Sequence, residues 1–176
     1  MTPIEETQAW LEKAVIGLNL CPFAKAVHAR QQIHWVLSSA TEPAALLADL
    51  VSELRYLAAA RPEVIDTTVL VHPQVFDDFL EFNDFLGAAE DALDELELDG
   101  MLQIAGFHPR FCFHGAAEDD IGNYTNRSPY PTLHLLREDS VARAVAAFPD
   151  PEAIYERNIE TLERLGLEGW RALGLK

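Results

Sequence analysis

Two histidines in this chain occupy the same position relative to a strand-like segment. Segment 67–71 runs into His72, segment 102–107 runs into His108, and proline follows each histidine. Because proline restricts the residue before it to extended backbone, each imidazole leaves its strand in a defined direction. Two imidazoles held together could transfer a proton, hydrogen-bond an oxyanion or bind a metal. The sequence therefore makes His72 and His108 candidate catalytic residues.

A metal site is an alternative use of the same side chains. Cys112, His114 and His134 add further nitrogen and sulfur ligands, but the chain has neither an HExxH nor a CxxC pattern. If a metal is bound, we expect His72 and His108 to be its ligands, and the sequence names no metal or other cofactor. In the other interpretation, each histidine only satisfies a neighbouring carbonyl at a strand end.

A polar segment between residues 123 and 134 carries a second set of candidates. Pro129 and Pro131 stiffen it, and Arg127 offers a planar guanidinium that can pair with a carboxylate or phosphate. Long ordered loops often bind ligands, although this one could also be a surface turn with a solvated arginine. The predicted ligand-binding residues are Asn123, Asn126, Arg127, Ser128, Tyr130 and His134.

Cys21 is the third candidate, as a nucleophile or a redox thiol. If Pro22 is the first residue of a helix, Cys21 is its N-cap, where free amides and the helix dipole stabilise a thiolate. Lys25, one turn further on, would add positive charge. We therefore expect Cys21 to react with thiol reagents faster than Cys112. The alternative is a buried core cysteine, because free cysteine is among the most buried residue types.

Hydrophobic periodicity predicts the elements that position these residues. Apolar residues recur at helical spacing after Thr41 and again over about 75–96, and these stretches separate three strand-like segments. Residues 110–114 alternate enough to predict a further short strand. The order favours an α/β fold, a small single-domain sandwich over residues 1–176 with a mainly parallel sheet flanked by helices. Both histidines should then meet at the ligand-binding edge of that sheet, in or beside the main cleft.

Charge and composition argue against two classes of partner. The chain has 29 acidic against 13 basic residues and a formal charge of −16, so neither nucleic acid nor an anionic membrane surface is expected. No apolar run reaches the roughly 18 residues that span a bilayer, and no signal peptide is recognisable. Two cysteines make no disulfide framework, which favours a cytoplasmic location. The oligomeric state stays open.

Three segments of the chain together resemble one bacterial family. They are Val15 to Ala24 (VIGLNLCPFA), Phe107 to Pro109 (FHP) and Thr125 to Thr132 (TNRSPYPT). The family is the one catalogued as domain of unknown function 1415, and the resemblance covers nearly the whole chain. It implies a single-domain bacterial cytoplasmic protein, and it supplies no activity, cofactor or catalytic residue.

Two functions are compatible with these residues. The first is an enzyme acting on a small polar or anionic metabolite, in which His72 and His108 are acid–base or metal-binding groups. Arg127 and Asn126 would hold the ligand, and Cys21 would be a nucleophile or a redox thiol. The second is a non-catalytic binding or regulatory module that recognises a metabolite or a protein partner. The sequence lacks the GxGxxG, P-loop and GxSxG patterns of dinucleotide enzymes, P-loop NTPases and α/β-hydrolases.

Overall fold

The computed structural model describes residues 1–148 and 150–176. The strands are β1 (Ile33–Leu37), β2 (Thr67–Val71), β3 (Leu102–Phe107) and β4 (Thr132–Arg137). The α-helices are α1 (Pro3–Trp10), α2 (Ala24–Ala29), α3 (Pro43–Ala59), α4 (Phe79–Glu95), α5 (Glu138–Ala146) and α6 (Glu152–Ala172). A π-helical segment, Leu11–Ile16, continues α1, and a 3₁₀ helix, Ile121–Asn126, precedes β4.

The four strands form one mixed sheet in the order β1-β2-β4-β3. β1 and β2 are parallel, whereas β4 lies between β2 and β3 and is antiparallel to both. An α/β fold with helices around a sheet is confirmed, but the expectation of a mainly parallel sheet is wrong. The reason is that residues 132–137 form a strand of their own, while residues 110–114, predicted as a strand, have irregular backbone.

The first face of the sheet packs against α3 and α4. The leucine stripe of α3 and the phenylalanines of α4 meet alternate strand residues in the main core, as the helical periodicity predicts. The fully buried members include Leu46, Leu50, Leu54, Leu57, Leu70, Phe82, Leu133 and Leu135. Helix α4 begins at Phe79, later than predicted, because the Asp78 carboxylate caps it by accepting the N–H groups of Leu80 and Glu81.

The second face of the sheet is covered by the two ends of the chain. Helix α1 and the π-helical segment that continues it place four residues in a smaller apolar cluster: Trp10, Leu11, Ala14 and Val15. Side chains from the sheet and from the C-terminal helix complete this cluster, among them Ile33, Trp35, Phe107 and Trp170. Among the helices in the described ranges, none combines the length and apolar content that crossing a membrane requires.

Candidate functional site

A cavity of about 470 Å³ lies between the second face of the sheet and the helices that cover it. Its volume falls within the range of about 300–1,000 Å³ that is usual for small-molecule sites. Most of the wall is apolar, and no charged side chain of the described residues lines it. The apolar lining includes Trp10, Leu11, Phe23, Val27, Ile33, Trp35, Val69, Phe107, Phe113 and Ile154. These residues come from strands β1, β2 and β3, helices α1, α2 and α6, and the segments between them.

His134 lines the cavity from the middle of β4. Side chains alternate along a strand, so Leu133 and Leu135 enter the main core while His134 points the other way. Its Nε2 lies 2.8 Å from the hydroxyl of Thr67 on the neighbouring strand. Burial lowers the pKa of His134 to about 4, which leaves the imidazole neutral near pH 7.

Three other polar side chains of the cavity wall also bond to the protein, whereas Nε1 of Trp10 is buried without a hydrogen-bond partner among the described residues. The hydroxyl of Thr125 donates to the carbonyl of Gly122 at 3.1 Å, and the Asn126 amide donates to the carbonyl of Gly106 at 3.3 Å. On α6, the Asn158 amide donates to the carbonyl of Leu20 at 2.8 Å. These bonds tie the loop before β4 and the helix α6 to the rest of the fold, so the wall of the cavity is fixed by its own contacts.

Cys21 also lines this cavity, in the turn before α2. Burial raises the pKa of the Cys21 thiol, and this effect exceeds the opposing effect of the backbone N–H groups of Phe23 and Ala24. Helix α2 begins at Ala24 with Phe23 as its N-cap, so Cys21 is not the cap that the sequence predicted. The expected N-cap position is therefore wrong, and burial shifts the pKa of the thiol in the direction opposite to the expected activation. A catalytic role for Cys21 stays a prediction.

His72 and His108 lie at the same edge of the sheet but face away from the cavity. Their strands run in the same direction on either side of β4, and each histidine follows a residue that is paired with Thr132. Both imidazoles pack on Phe82 of α4, with ring centroids 5.7 Å away for His72 and 5.3 Å for His108. Both are fully buried in the layer of α3 and α4, so neither lines the cavity.

The two imidazoles hydrogen-bond the turn that leads from β2 into α4. Nδ1 of His72 donates to the carbonyl of Val75 at 3.3 Å, and Nε2 of His108 donates to the carbonyl of Phe76 at 2.9 Å. Phe76 has a φ of 63°, a left-handed conformation that is uncommon for an aromatic residue. Burial lowers the pKa of His72 to about 4 and also lowers the pKa of His108. The pair thus holds a strained turn in place.

Asn123 organises the loop between β3 and β4. Its side chain is fully buried, with Oδ1 accepting the N–H of Phe113 at 3.0 Å and Nδ2 donating to the carbonyl of Ala117 at 2.8 Å. Asn126 anchors the end of the same loop on β3 and also lines the cavity. Of the predicted ligand-binding residues, Asn126 and His134 therefore meet at the cavity, and Asn123 lies outside it.

Arg127, Ser128 and Tyr130 lie on the outer side of the same loop. The Arg127 guanidinium donates to the carbonyls of Phe111 at 3.0 Å and Glu118 at 2.6 Å and stacks over the ring of Tyr124. The buried hydroxyl of Ser128 donates to the carbonyl of Tyr130 at 2.6 Å.

These residues border a second, smaller opening, which we call the Arg127 cleft. It has a volume of about 310 Å³ and is lined by Trp10, Pro109, Tyr124, Arg127, Ser128, Pro129, Trp170, Leu175 and Lys176. The phenol of Tyr130 lies beside it, donates to the carboxylate of Glu6 and has the Lys176 ammonium 3.7 Å from its ring centroid. Two cationic side chains therefore line this cleft, and the Lys176 ammonium is paired with the Glu6 carboxylate at 3.9 Å.

Within residues 1–148 and 150–176, no group of three or more histidine, cysteine, aspartate or glutamate side chains is placed to hold a metal ion. His72 retains a buried Nε2 without a hydrogen-bond partner in the described part of the chain, while both nitrogens of His108 are bonded. A metal at these two residues stays a prediction.

The family described as "Protein of unknown function (DUF1415)" matches residues 2–172. The chain belongs to this family. Comparisons with curated proteins and with solved structures gave no match.

Each of the three segments by which the sequence resembles the DUF1415 family contributes to the wall of the cavity. The segment Val15 to Ala24 supplies Leu20, Cys21 and Phe23 among others. The segment beginning at Phe107 supplies that phenylalanine, and the segment Thr125 to Thr132 supplies both of its threonines and Asn126. The recognisable segments, which are distant in sequence, thus meet around one space.

Most of the cavity wall was not singled out from the sequence. Trp10, Trp35 and Phe107 lie in apolar patterns that predict only a core, so nothing in the sequence distinguishes a cavity wall from a filled core. One signal was present in β4, where polar and apolar residues alternate from Thr132 to Leu135. Interpreted as a half-buried strand, this pattern would have placed Thr132 and His134 together on one face.

Proposed function

We propose that this protein binds a largely apolar small molecule in the cavity between the sheet and the N-terminal and C-terminal helices. The observation that carries the proposal is a space of about 470 Å³ with apolar walls and a few fixed polar groups. Small-molecule sites are typically concave spaces with apolar walls and a small number of fixed polar groups. A space of this size is expected to be kept for a ligand.

The arrangement of the candidate residues supports a binding module better than an enzyme. His72 and His108 are on the opposite face of the sheet from Cys21 and His134. The imidazoles that would transfer protons and the thiol that would attack a substrate therefore do not share one space. The raised pKa of Cys21 also disfavours its thiolate near neutral pH.

A neutral fluorescent probe tests this proposal. N-phenyl-1-naphthylamine should become brighter on binding and should quench Trp10 and Trp35, which both line the cavity. Ala24→Phe places a ring in the cavity and should weaken probe binding at least about tenfold. The matched control is Ala26→Phe, which adds the same ring to an exposed position of the same helix and should bind as wild type does.

A second measurement locates the bound probe. Saturation with N-phenyl-1-naphthylamine should slow alkylation of Cys21 by iodoacetamide, followed at raised pH by mass spectrometry, and should leave Cys112 unchanged. Cys112 is the internal control because it does not line the cavity. If both phenylalanine variants bind the probe like wild type and Cys21 is not protected, the proposal is wrong.

A small anion bound in the Arg127 cleft is a second candidate function. The observation that favours it is the presence of Arg127 at the cleft of a protein with a charge of −16; the neighbouring Lys176 ammonium is already paired with the Glu6 carboxylate at 3.9 Å. Two N–H groups of the guanidinium bond to carbonyls, and a guanidinium has five, so further donors are free to pair with a carboxylate or phosphate.

A further inference from the structure

The hydrogen bonds of Thr67 determine which nitrogen of His134 carries the proton. The Thr67 hydroxyl has one hydrogen, which it donates to the carbonyl of Leu135 at 2.5 Å. Thr67 can therefore only accept at its 2.8 Å contact with Nε2 of His134. Nε2 must carry the hydrogen of the neutral imidazole, so Nδ1 is a lone-pair acceptor.

Nδ1 of His134 has no hydrogen-bond partner among residues 1–148 and 150–176. It is not among the fully buried polar atoms without a partner, so it is accessible to a small molecule. His134 lines the cavity, so this accessible nitrogen is the acceptor that the imidazole offers there. The neighbouring hydroxyls do not supply a proton to it, because Thr67, Thr125 and Thr132 donate to the carbonyls of Leu135, Gly122 and Tyr130.

We propose that the ligand of this cavity is an uncharged molecule with an apolar body and one O–H or N–H group, such as a phenol or an alcohol, which donates to Nδ1 of His134. This inference rests on the proposed function of the cavity and specifies its ligand class. The apolar body fills the space lined by Trp10, Trp35 and Phe107. The single donor then satisfies the acceptor that the protein leaves unpaired.

Charged ligands fit this cavity poorly for two reasons. Its wall has no arginine, lysine, aspartate or glutamate from the described residues to neutralise a buried charge. A carboxylate would also point its lone pairs at the lone pair of Nδ1, which is repulsive. An ammonium group could donate to Nδ1, but it would lose its hydration without gaining an ionic partner.

Three naphthalene derivatives of similar size separate these ligand classes. Binding of 2-naphthol, 2-methoxynaphthalene and 2-naphthoate is measured by tryptophan quenching and by calorimetry near pH 7. We expect 2-naphthol to bind about tenfold more tightly than 2-methoxynaphthalene, which has the same rings without the donor. The anionic 2-naphthoate should bind more weakly than both.

Two variants assign the preference to His134 and to its tautomer. His134→Leu removes the acceptor and should make 2-naphthol and 2-methoxynaphthalene bind equally well. Thr67→Val keeps the imidazole but removes the hydroxyl that fixes its tautomer, so it should reduce the preference for 2-naphthol without abolishing the binding of either compound.

The outcomes distinguish this inference from the proposal on which it rests. If none of the three compounds binds to wild type, the cavity is not a ligand site and both proposals fail. If all three bind with equal affinity, the cavity binds apolar molecules but the role of His134 is refuted. A preference for 2-naphthol that persists in His134→Leu also refutes that role.

Discussion

The guanidinium of Arg127 combines a structural role and the proposed anion-binding role in one side chain. Its bonds to the carbonyls of Phe111 and Glu118 link two parts of the loop that crosses from β3 to β4. The same group lines the Arg127 cleft together with Lys176. An alanine at this position would remove both roles at once, so a substitution that keeps hydrogen-bonding capacity is more informative.

Arg127→Gln is expected to weaken the binding of a small anion in the Arg127 cleft. A charge-assisted pair with a guanidinium is stronger than a neutral hydrogen bond, so the loss should be on the order of 2 kcal/mol. The measurement is titration calorimetry at low salt with benzoate and with inorganic phosphate as separate probes. Arg30→Gln, at an exposed position on the end of α2, is the matched control and should leave the affinity unchanged.

Thermal denaturation of the same variants reports the structural role of Arg127. If Arg127→Gln lowers the melting temperature while benzoate and phosphate bind as to wild type, the guanidinium only supports the loop. Anion binding by this cleft would then be refuted. Equal weakening in Arg30→Gln would also refute it, because a general reduction of positive charge would be the cause.

At the scale of the elements, the contact of β3 with α4 depends on one glycine. A Cβ atom built on Gly106 would lie 3.0 Å from the Phe82 ring and 3.2 Å from a methyl group of Leu86. Phe82 is fully buried between the two histidines at the sheet edge, so it has little room to move. Gly106 therefore allows α4 to approach β3 closely.

Gly106→Ala and Gly87→Ala should change stability in opposite directions. The first overpacks the contact with Phe82 and should lower the free energy of unfolding by about 1–3 kcal/mol. The second adds a methyl group to an exposed position inside α4, where, apart from the adjacent residues and the local helix backbone, no atom of the described residues lies within 4 Å of the new atom. It should raise stability by about 0.5–1 kcal/mol. Urea denaturation measures both values, and stabilisation by Gly106→Ala would contradict the proposed packing.

Elements with a local signal were predicted well. Helices α3 and α4 follow from apolar residues at helical spacing, because their buried faces repeat within each helix. Strand β4 was not recognised, since its partners β2 and β3 lie far away in sequence and nothing local specifies the pairing. The missed strand is also why the sheet was expected to be mainly parallel.

At the scale of the whole molecule, imidazoles are buried on both sides of the sheet. Burial lowers the pKa of His72 and of His134 to about 4, from an ordinary value of 6.5, and lowers the pKa of His108 as well. The unfolded chain therefore takes up protons between about pH 6.5 and pH 4 that the folded chain does not bind. By linkage, folding stability is fully present above this range and is lost as the pH falls through it.

His72→Asn should reduce this acid sensitivity. Asparagine keeps an N–H donor near the carbonyl of Val75 but has no group that titrates in this range. One proton corresponds to a slope of about 1.4 kcal/mol per pH unit, so the slope of unfolding free energy between pH 7 and pH 5 should decrease by up to that amount. The measurement is urea denaturation at several pH values.

The exposed His114 provides the control for this experiment. His114→Asn makes the same change of side chain at an exposed position and should leave the slope unchanged. The slope is the informative quantity, because His72→Asn also loses its packing on Phe82 and lowers stability at every pH. An unchanged slope in His72→Asn would mean that this imidazole has the same pKa in the folded and unfolded states, which would contradict the expected effect of its burial.

The candidate site was predicted only in part, because it forms at the level of the whole molecule. Cys21, Asn126 and His134 were chosen from their chemistry, and all three line the cavity. The sequence could not show that His72 and His108 face the other layer, since that depends on strand registers and on the position of β4. The cavity itself arises from incomplete packing between distant segments, which no local pattern records.

The central position of β4 also determines when the cavity can form during protein synthesis. β1 and β2 can pair as soon as both have left the ribosome, but β3 waits for β4, which is made last of the four strands. The floor of the cavity is incomplete until β4 delivers His134, and its wall is incomplete until α6 delivers Ile154 and Asn158. A nascent chain can therefore pack α3 against β1 and β2 early, but it completes its main core only when β4 supplies Leu133 and Leu135, and it can take up a ligand only after α6 has been made.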